Sequence, residues 1–544
     1  MFAQYPRWFK RCVLLSVLSL TCVTSLQAAN VPQGVKLAAK QELVRGIGSE
    51  VPSLDPHKSE AMNASAVIRD LIEGLTSEDE NGQLIPAVAS HWQTDDNRTF
   101  IFHLRKDAVW SNGDPVTADD FVYSWRRLAD PNTASPYGWY LEMTTLKNAA
   151  EVLKGDKKPE TLGITALDKH TLKFELNESL PYFPKMLVHT SVKPVHQATL
   201  EKFGDKWTRP GNYVGNGAFL LKEWIVNERM VLVKNPKYMD ADKVILDKVV
   251  YLPIENQVAE MNRFLSGEID ITYELPNEHY TRLARDFKES VTITPMLCSY
   301  YYGVRVDNPP FDDVRIRKAL SYALDRDIIA QYIVRKGVDP AYYFTPDKTA
   351  GMAADLPEYA TWSQEKRNQE AKRLLKEAGY DKNNPLKFEL LYNTSENHKK
   401  IATAVRQLWK QTLGVHVSLI NEEWKTFLDT RRFGVYQLTR SGWCGDYNEP
   451  STFLTLLMSN NSSNDMRYKS QRYDDVVNRA LQSTTEQERS LAYKEAEAIL
   501  AEDMPIIPLY HYVNARLVKP RVGGYPMNNA LDIAPSKSMY IKQM

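Results

Sequence analysis

From Ser363 to Thr439 the chain alternates helix-period and strand-period hydrophobicity without a break. Ser363 is placed to cap a helix whose Ala371, Leu374, Leu375 and Ala378 share one face, and Gly379 stops it. Leu386, Phe388, Leu390 and Tyr392 then alternate as a strand. Glu396–Leu413 predicts a second helix ended by Gly414, and Val415, Val417 and Leu419 a second strand. Trp424–Arg432 predicts a short helix that delivers the chain to a third strand, Val435–Thr439. Parallel neighbours need crossovers, so a β-α-β-α-β order implies a mostly parallel α/β sheet. Ligands of such sheets lie beyond the carboxyl ends of the strands.

At that end stands Arg440-Ser-Gly-Trp-Cys-Gly-Asp446-Tyr-Asn-Glu-Pro450. An Arg and an Asp bracket a short extended piece before the chain breaks into a turn. If the piece lies on a sheet edge, its backbone groups can pair with an incoming extended peptide. Asp446 would hold an ammonium and Arg440 a carboxylate. The same residues are also ordinary turn chemistry, so the pair gains weight only from the rest of the chain.

Arg7, Lys10 and Arg11 precede an apolar run, Cys12–Val23, too short to span a bilayer. Leu26-Gln-Ala28 supplies small-residue cleavage chemistry, so residues 1–28 read as a signal peptide cut after Ala28, and the protein as exported and soluble. Cleavage removes three positive charges and no negative ones. That leaves 65 basic and 68 acidic residues, a net charge of −3, which argues against nucleic-acid or anionic-membrane partners. Two cysteines remain, Cys298 and Cys444, and in an oxidising compartment an even pair is expected as a disulfide. A loop that long carries roughly 5 kcal/mol in the chain-entropy model, and Cys444 lies inside the focal stretch. No CxxC or HExxH occurs and the ten histidines are scattered, so no metal or other cofactor is expected. Without GxSxG, HExxH or an acid pair in a matching context, the chain is not expected to be an enzyme; an exported peptidase and a holdase-like chaperone are the readings of another class.

At 544 residues the chain should divide into lobes. Glu42–Gly46 predicts a first strand and Ala64–Glu73 a helix. Thr99–Leu104 is an apolar strand, Asn112-Gly113 a turn, and Thr117-Ala-Asp-Asp120 a capping box that opens Phe121–Arg127. Strands are expected at Leu172–Leu176, Val231–Val233 and Leu246–Leu252, and one amphipathic helix over Arg315–Tyr332. No repeat or low-complexity linker interrupts them.

Thr99–Trp125, Pro309–Arg317, Leu391–His398, Glu423–Asp429 and Tyr512–Pro520 together resemble the dipeptide/oligopeptide family of ABC-importer binding proteins, along the whole mature chain. The resemblance implies a bilobal, type II-like α/β binding protein that encloses its ligand between lobes and carries a small extra domain. Lobe I would combine 29–72, 197–297 and 512–544, the extra domain would be 73–196, and lobe II 298–511. The implied hinge falls near Leu297–Cys298 and His511–Tyr512. Residue by residue, Asp446 matches the ammonium anchor, Arg440 a carboxylate site for short peptides and His398 one for longer peptides. Gly442, Trp443 and Cys444 match a strand that pairs parallel with the peptide, and Glu60 to Met62 an antiparallel one. Tyr137, Tyr301, Trp424 and Tyr512 match ligand neighbours, and Cys298 and Cys444 a disulfide. Tyr301 stands within Tyr300-Tyr-Tyr302, where alternate residues face opposite sides. Two positions depart from the oligopeptide pattern: Val334 replaces a carboxylate-reading Lys, with Arg335 and Lys336 adjoining, and Met296 replaces a pocket Tyr. Gly445–Leu456 reads more like a murein-peptide receptor, for which Arg431 would meet an extra carboxylate. The implied protein is a monomeric periplasmic receptor that passes short peptides to an inner-membrane ABC permease complex.

Overall fold

The computed structural model describes residues 31–544 except 353, 462 and 484, and omits the side chain of 425. The signal segment 1–28 and its cleavage site lie outside the described residues.

One core gathers the N-terminal strand, the middle of the chain and the C-terminal tail. A four-stranded sheet orders Glu42–Gly46, Lys248–Leu252, Arg229–Lys234 and Phe219–Ile225. Its core includes Leu43, Ile68, Leu71 and Tyr251 together with Val518, Met539 and Ile541 of the tail. Helix α1, Met62–Leu71, lays Ala64, Val67, Ile68 and Leu71 into that core, the face its spacing predicts.

A second core belongs to the small domain. Its sheet orders Ala89–Gln93, Thr99–Leu104, Thr171–Glu175 and Ile164–Asp168, and Phe100, Phe102, Trp125, Phe174 and Phe183 fill it. The predicted capping box forms: the Asp120 carboxylate accepts from Thr117 N at 2.7 Å, and the helix runs Ala118–Ala129. Tyr447 joins this core from far along the chain.

The third unit holds the focal stretch in a six-stranded sheet. Its strands are β1 (Val291–Val304), β2 (Asp339–Pro340), β3 (Lys387–Asn393), β4 (His416–Glu422), β5 (Leu438–Cys444) and β6 (Ile506–Leu517). The order is β2-β6-β1-β5-β3-β4. Helices α2, Glu396–Leu413, and α3, Trp424–Phe433, supply the crossovers. Ser395 caps α2 and Gly414 ends it at φ 72°, the left-handed cap that glycine takes without strain. β1 and β6 are long enough to serve two cores: Val291, Ala515 and Leu517 pack with the first lobe, Tyr300, Tyr302 and Leu509 with the second. Their register shifts between Pro295 and Ser299, the stretch that carries Met296.

Three local expectations change. The sheet is mixed, not mostly parallel: β3 pairs parallel with β4 and β5, but β5–β1, β1–β6 and β6–β2 are antiparallel. The long strands that pass between lobes impose this, and neither belongs to the local alternation. The third strand starts later than its pattern, at Leu438, because Gly434 turns at φ 73° and Val435 N closes onto Thr430 O at 3.0 Å. Arg440–Cys444 is therefore strand itself. The helix expected over Arg315–Tyr332 stops at Tyr322. Asp325 caps a new turn through Ile328 N at 3.1 Å, and a wider-wound segment, Ile329–Val334, follows.

Candidate functional site

The site is one free edge with a charge at each end. β3 meets β5 only at Leu390–Leu438 and Leu391–Thr439, so the remainder of β5 runs on past it. Gly445 N donates to Leu297 O at 2.8 Å and Arg305 N to Gln437 O at 3.1 Å. By two-residue alternation, Thr439, Ser441 and Trp443 turn their backbone groups toward β1. Arg440, Gly442 and Cys444 turn theirs away, toward the side where β3 pairs only as far as Thr439; beyond that point no strand among the described residues pairs with β5 on that side. The Cys298–Cys444 disulfide joins directly opposed residues, with Cα atoms 4.0 Å apart, and ties the end of this edge to β1.

Asp446 follows the strand after one residue, Gly445. Its N–H donates to Thr452 Oγ1 at 2.9 Å, which fixes the loop. Its side chain is 9% exposed. Tyr137 Oη donates to Asp446 Oδ1 at 3.2 Å, and His189 Nε2 lies 3.4 Å from the same oxygen. Burial pushes the carboxyl up to about 7, against the Tyr137 hydrogen bond and the nearby Arg69 charge. Its immediate neighbours are thus neutral donors. The Trp443 indole is pinned by Nε1 donating to Thr452 O at 2.6 Å and meets Trp139 at 5.9 Å.

Arg440 marks the other end. Nη1 donates to Asn393 Oδ1 at 3.3 Å and Nη2 to Tyr512 Oη at 2.7 Å. The guanidinium lies 5.0 Å over the Tyr300 ring, while Nε is buried without a hydrogen-bond partner. Nη2 would sit 3.3 Å from a Cβ added at Gly442, so the cation reaches back along the strand and glycine leaves it room. His398, in the first turn of α2, lies 5.6 Å from Tyr300 with its ring tilted at 51°. Burial and the Arg440 charge hold its imidazole well below the usual range, and its Nδ1 is unpartnered. A buried cation with neutral hydrogen-bond partners favours an anionic ligand.

The remaining predicted residues spread around this edge. Tyr301 is buried on the opposite face against Phe344; it is Tyr300 that adjoins Arg440. Arg431 forms an ion pair with Asp465 at 2.6 Å, and its Nη1 donates to Ser441 Oγ at 3.3 Å. Trp424 is 49% exposed and stacks on Phe427. Glu60 faces Arg432 at 4.0 Å across the lobes; Ala61 is extended, and Met62 already opens α1. Val334 is buried in the lobe core, Arg335 is exposed and Lys336 is held by Glu274 at 2.7 Å. Sequence reasoning missed Tyr300, Asn393, Trp139 and His189. Asn393 was reachable: it ends β3, where strand-end residues of α/β sheets meet ligands. Among the described residues no cluster of His, Cys, Asp or Glu has the arrangement to hold a metal ion, and no helix is long and apolar enough to cross a membrane.

Two lobes and a small domain around a strand edge with opposite charges at its ends define a two-lobed solute-binding protein. Comparison with known proteins makes the class specific. Residues 83–465 match the middle region of the bacterial extracellular solute-binding proteins, family 5, and the chain belongs to that family. It is 51% identical over 524 residues to the periplasmic oligopeptide-binding protein OppA of Salmonella typhimurium, covering 96% of each. The murein tripeptide binding protein MppA of Escherichia coli superposes with a TM-score of 0.89 at 47% identity, covering 93% of this chain and all of that one. An unliganded open form of MppA, 46% identical over 94% of this chain and 99% of that one, gives 0.76. Contact between the lobes is present in this structure, as between Glu60 and Arg432.

Proposed function

We propose that this protein is a periplasmic receptor that captures short peptides with free termini and passes them to an inner-membrane ABC permease. The observation that carries the reading is the pair of buried, oppositely charged groups at the two ends of the free β5 edge. Backbone pairing along Gly442–Cys444 recognises any peptide, because every peptide has the same main chain. The termini set the register by charge-assisted bonds in a closed cleft. From Gly442, where the guanidinium lies, to Asp446, two residues past the end of β5, is about 13 Å of extended chain. A peptide of three to four residues, at ~3.3–3.6 Å each, fits that span with its end contacts. An ammonium at Asp446 and a carboxylate at Arg440 run the peptide antiparallel to β5, where the family resemblance implies parallel pairing. Affinity would come from ends and backbone, tolerance of sequence from hydrated side-chain pockets.

Export through residues 1–28, a monomeric state and the absence of catalysis belong to the same reading. A second reading, capture of a murein tripeptide, draws support from Arg431, which reaches the edge through Ser441 and could exchange Asp465 for a ligand carboxylate. Calorimetric titration of ligand-stripped protein separates them. Tri-, tetra- and penta-alanine should all bind; binding confined to L-Ala-γ-D-Glu-meso-diaminopimelate would move the assignment to cell-wall peptides, and no binding of either would sink both.

A further inference from the structure

The ammonium end has a participant that no motif announced. His189 caps a short turn, Thr190–Val192, at the edge of the small domain, and its Nδ1 accepts from Ser191 N at 3.3 Å. Nδ1 also lies 2.7 Å from Ser191 Oγ, a hydroxyl free to donate; with the backbone N–H and the hydroxyl both donating to Nδ1, the neutral ring bears its hydrogen on Nε2. Nε2 is the atom that faces Asp446 Oδ1 at 3.4 Å. The ring is held from both sides, 4.6 Å from Tyr137 and 4.8 Å from Tyr140. Burial, with Arg69 and Lys193 nearby, pushes His189 down to about 3, so the ring stays neutral and adds no charge to compete with a ligand.

We infer that His189 is a positioning residue for the peptide ammonium: its Nε2–H and the Tyr137 hydroxyl both address Oδ1 of Asp446, which leaves Oδ2 turned to the ligand. The 3.4 Å contact is long for a hydrogen bond, and it shortens when the ammonium draws full charge onto the carboxylate. Both donors come from the small domain and the carboxylate from the second lobe, so the anchor is complete only where the two meet. This rests on the peptide-receptor reading above.

The test compares tri-alanine with N-acetyl-tri-alanine, which lacks the ammonium, on wild type, His189→Leu and His189→Gln. Wild type should prefer the free amine. His189→Leu should lower that preference roughly tenfold, the scale of a hydrogen bond to a charged group, while N-acetyl-tri-alanine binding holds. His189→Gln, which keeps an N–H donor, should restore part of it. Equal losses for both peptides, or no change in the ratio, would overturn the inference and leave the receptor reading standing. Failure of wild type to bind tri-alanine would instead strike that reading. Should His189→Leu not fold, nitrogen NMR of wild type with labelled histidine decides: a protonated Nε2 whose signal moves when tri-alanine binds supports the role, and a protonated Nδ1 refutes it.

Discussion

The two ends of the binding edge are built differently. The Arg440 cage is made within one sheet and its helix: Asn393 ends β3, Tyr300 stands on β1, Tyr512 on β6 and His398 on α2. The Asp446 end is made across an interface. Its carboxylate follows β5, its donor Tyr137 belongs to the small domain, and the adjacent Tyr447 is buried in that domain's core, stacked on Tyr182 at 5.8 Å. A cage inside one sheet keeps its geometry when lobes separate, whereas a site shared between domains reports their contact. Under the proposed function, one end would be ready for a ligand in advance and the other would be finished by closure.

Replacement of each end in turn should break this comparison most sharply. Asp446→Ala should weaken free-amine peptides of every length by about 100-fold or more, since removing one partner of a buried charge pair costs ~2–5 kcal/mol. Arg440→Met should approach that loss for tri-alanine and cost little for penta-alanine, whose carboxylate lies beyond the cage. Calorimetry across the length series reads both. Equal losses for Arg440→Met at all lengths would mean that Arg440 shapes the edge rather than reads an end.

The carboxyl group also sets a pH dependence that the guanidinium does not. Buried as in this structure, Asp446 is pushed up to about 7, while a peptide ammonium titrates near 8. Between these values both partners are charged. Below 7 a proton must leave Asp446 on binding, so affinity for free-amine peptides should fall by up to about tenfold per pH unit, with proton release measurable by calorimetry in buffers of different ionisation heat. The stability sign is opposite to that of a paired carboxylate. The folded pKa lies above the ordinary 3.8, so this group's contribution is full below about pH 4 and is lost as pH rises to about 7. Asp446→Asn should flatten the binding profile and Arg440→Met should keep it.

The same contrast governs what could be read in advance. Asp446, Arg440 and the crossover helices α2 and α3 lie within one local alternation, and caps such as Ser363 and Ser395 mark its elements. The mixed sheet was not legible, because β1 and β6 enter from distant parts of the chain and pairing across such separation leaves no local periodicity. The break after Tyr322 was hidden because apolar spacing continues through it while Asp325 restarts the helix. His189 gave no signal: a histidine between Val188 and Thr190 acquires meaning only when folding brings it to Asp446. Tyr300 and Tyr301 differ by one pleat, and alternation alone cannot say which faces the cleft.

Closure itself has an electrostatic pattern, and it supplies the smallest expected effect. Lys336 binds Glu274 at 2.7 Å, Lys400 pairs with Glu278, and Arg432 faces Glu60 at 4.0 Å. Asn397 Nδ2 donates to Gln257 Oε1 at 3.3 Å, and Gln257 Nε2 in turn to Glu274 Oε2 at 2.7 Å. In each ion pair the first lobe gives the acid and the second gives the base, so the rims attract as they approach. Lys400–Glu278 and Arg432–Glu60 are solvent-exposed on both sides, and such pairs contribute ~0–1 kcal/mol each. Lys336 is nearly buried, at 5% exposure, and is screened less. Raising salt from 50 mM to 500 mM should therefore weaken tri-alanine binding only a few-fold. Lys336→Met should weaken it similarly and remove part of the salt dependence, with small-angle scattering reporting a larger radius for the ligand-free protein. Because the Arg440 cage does not need closure, the loss should appear as faster ligand release, with the association rate nearly unchanged. A slower association with an unchanged off-rate would mean that the first contact is made at the shared end, and the order of events at the two ends would have to be reversed.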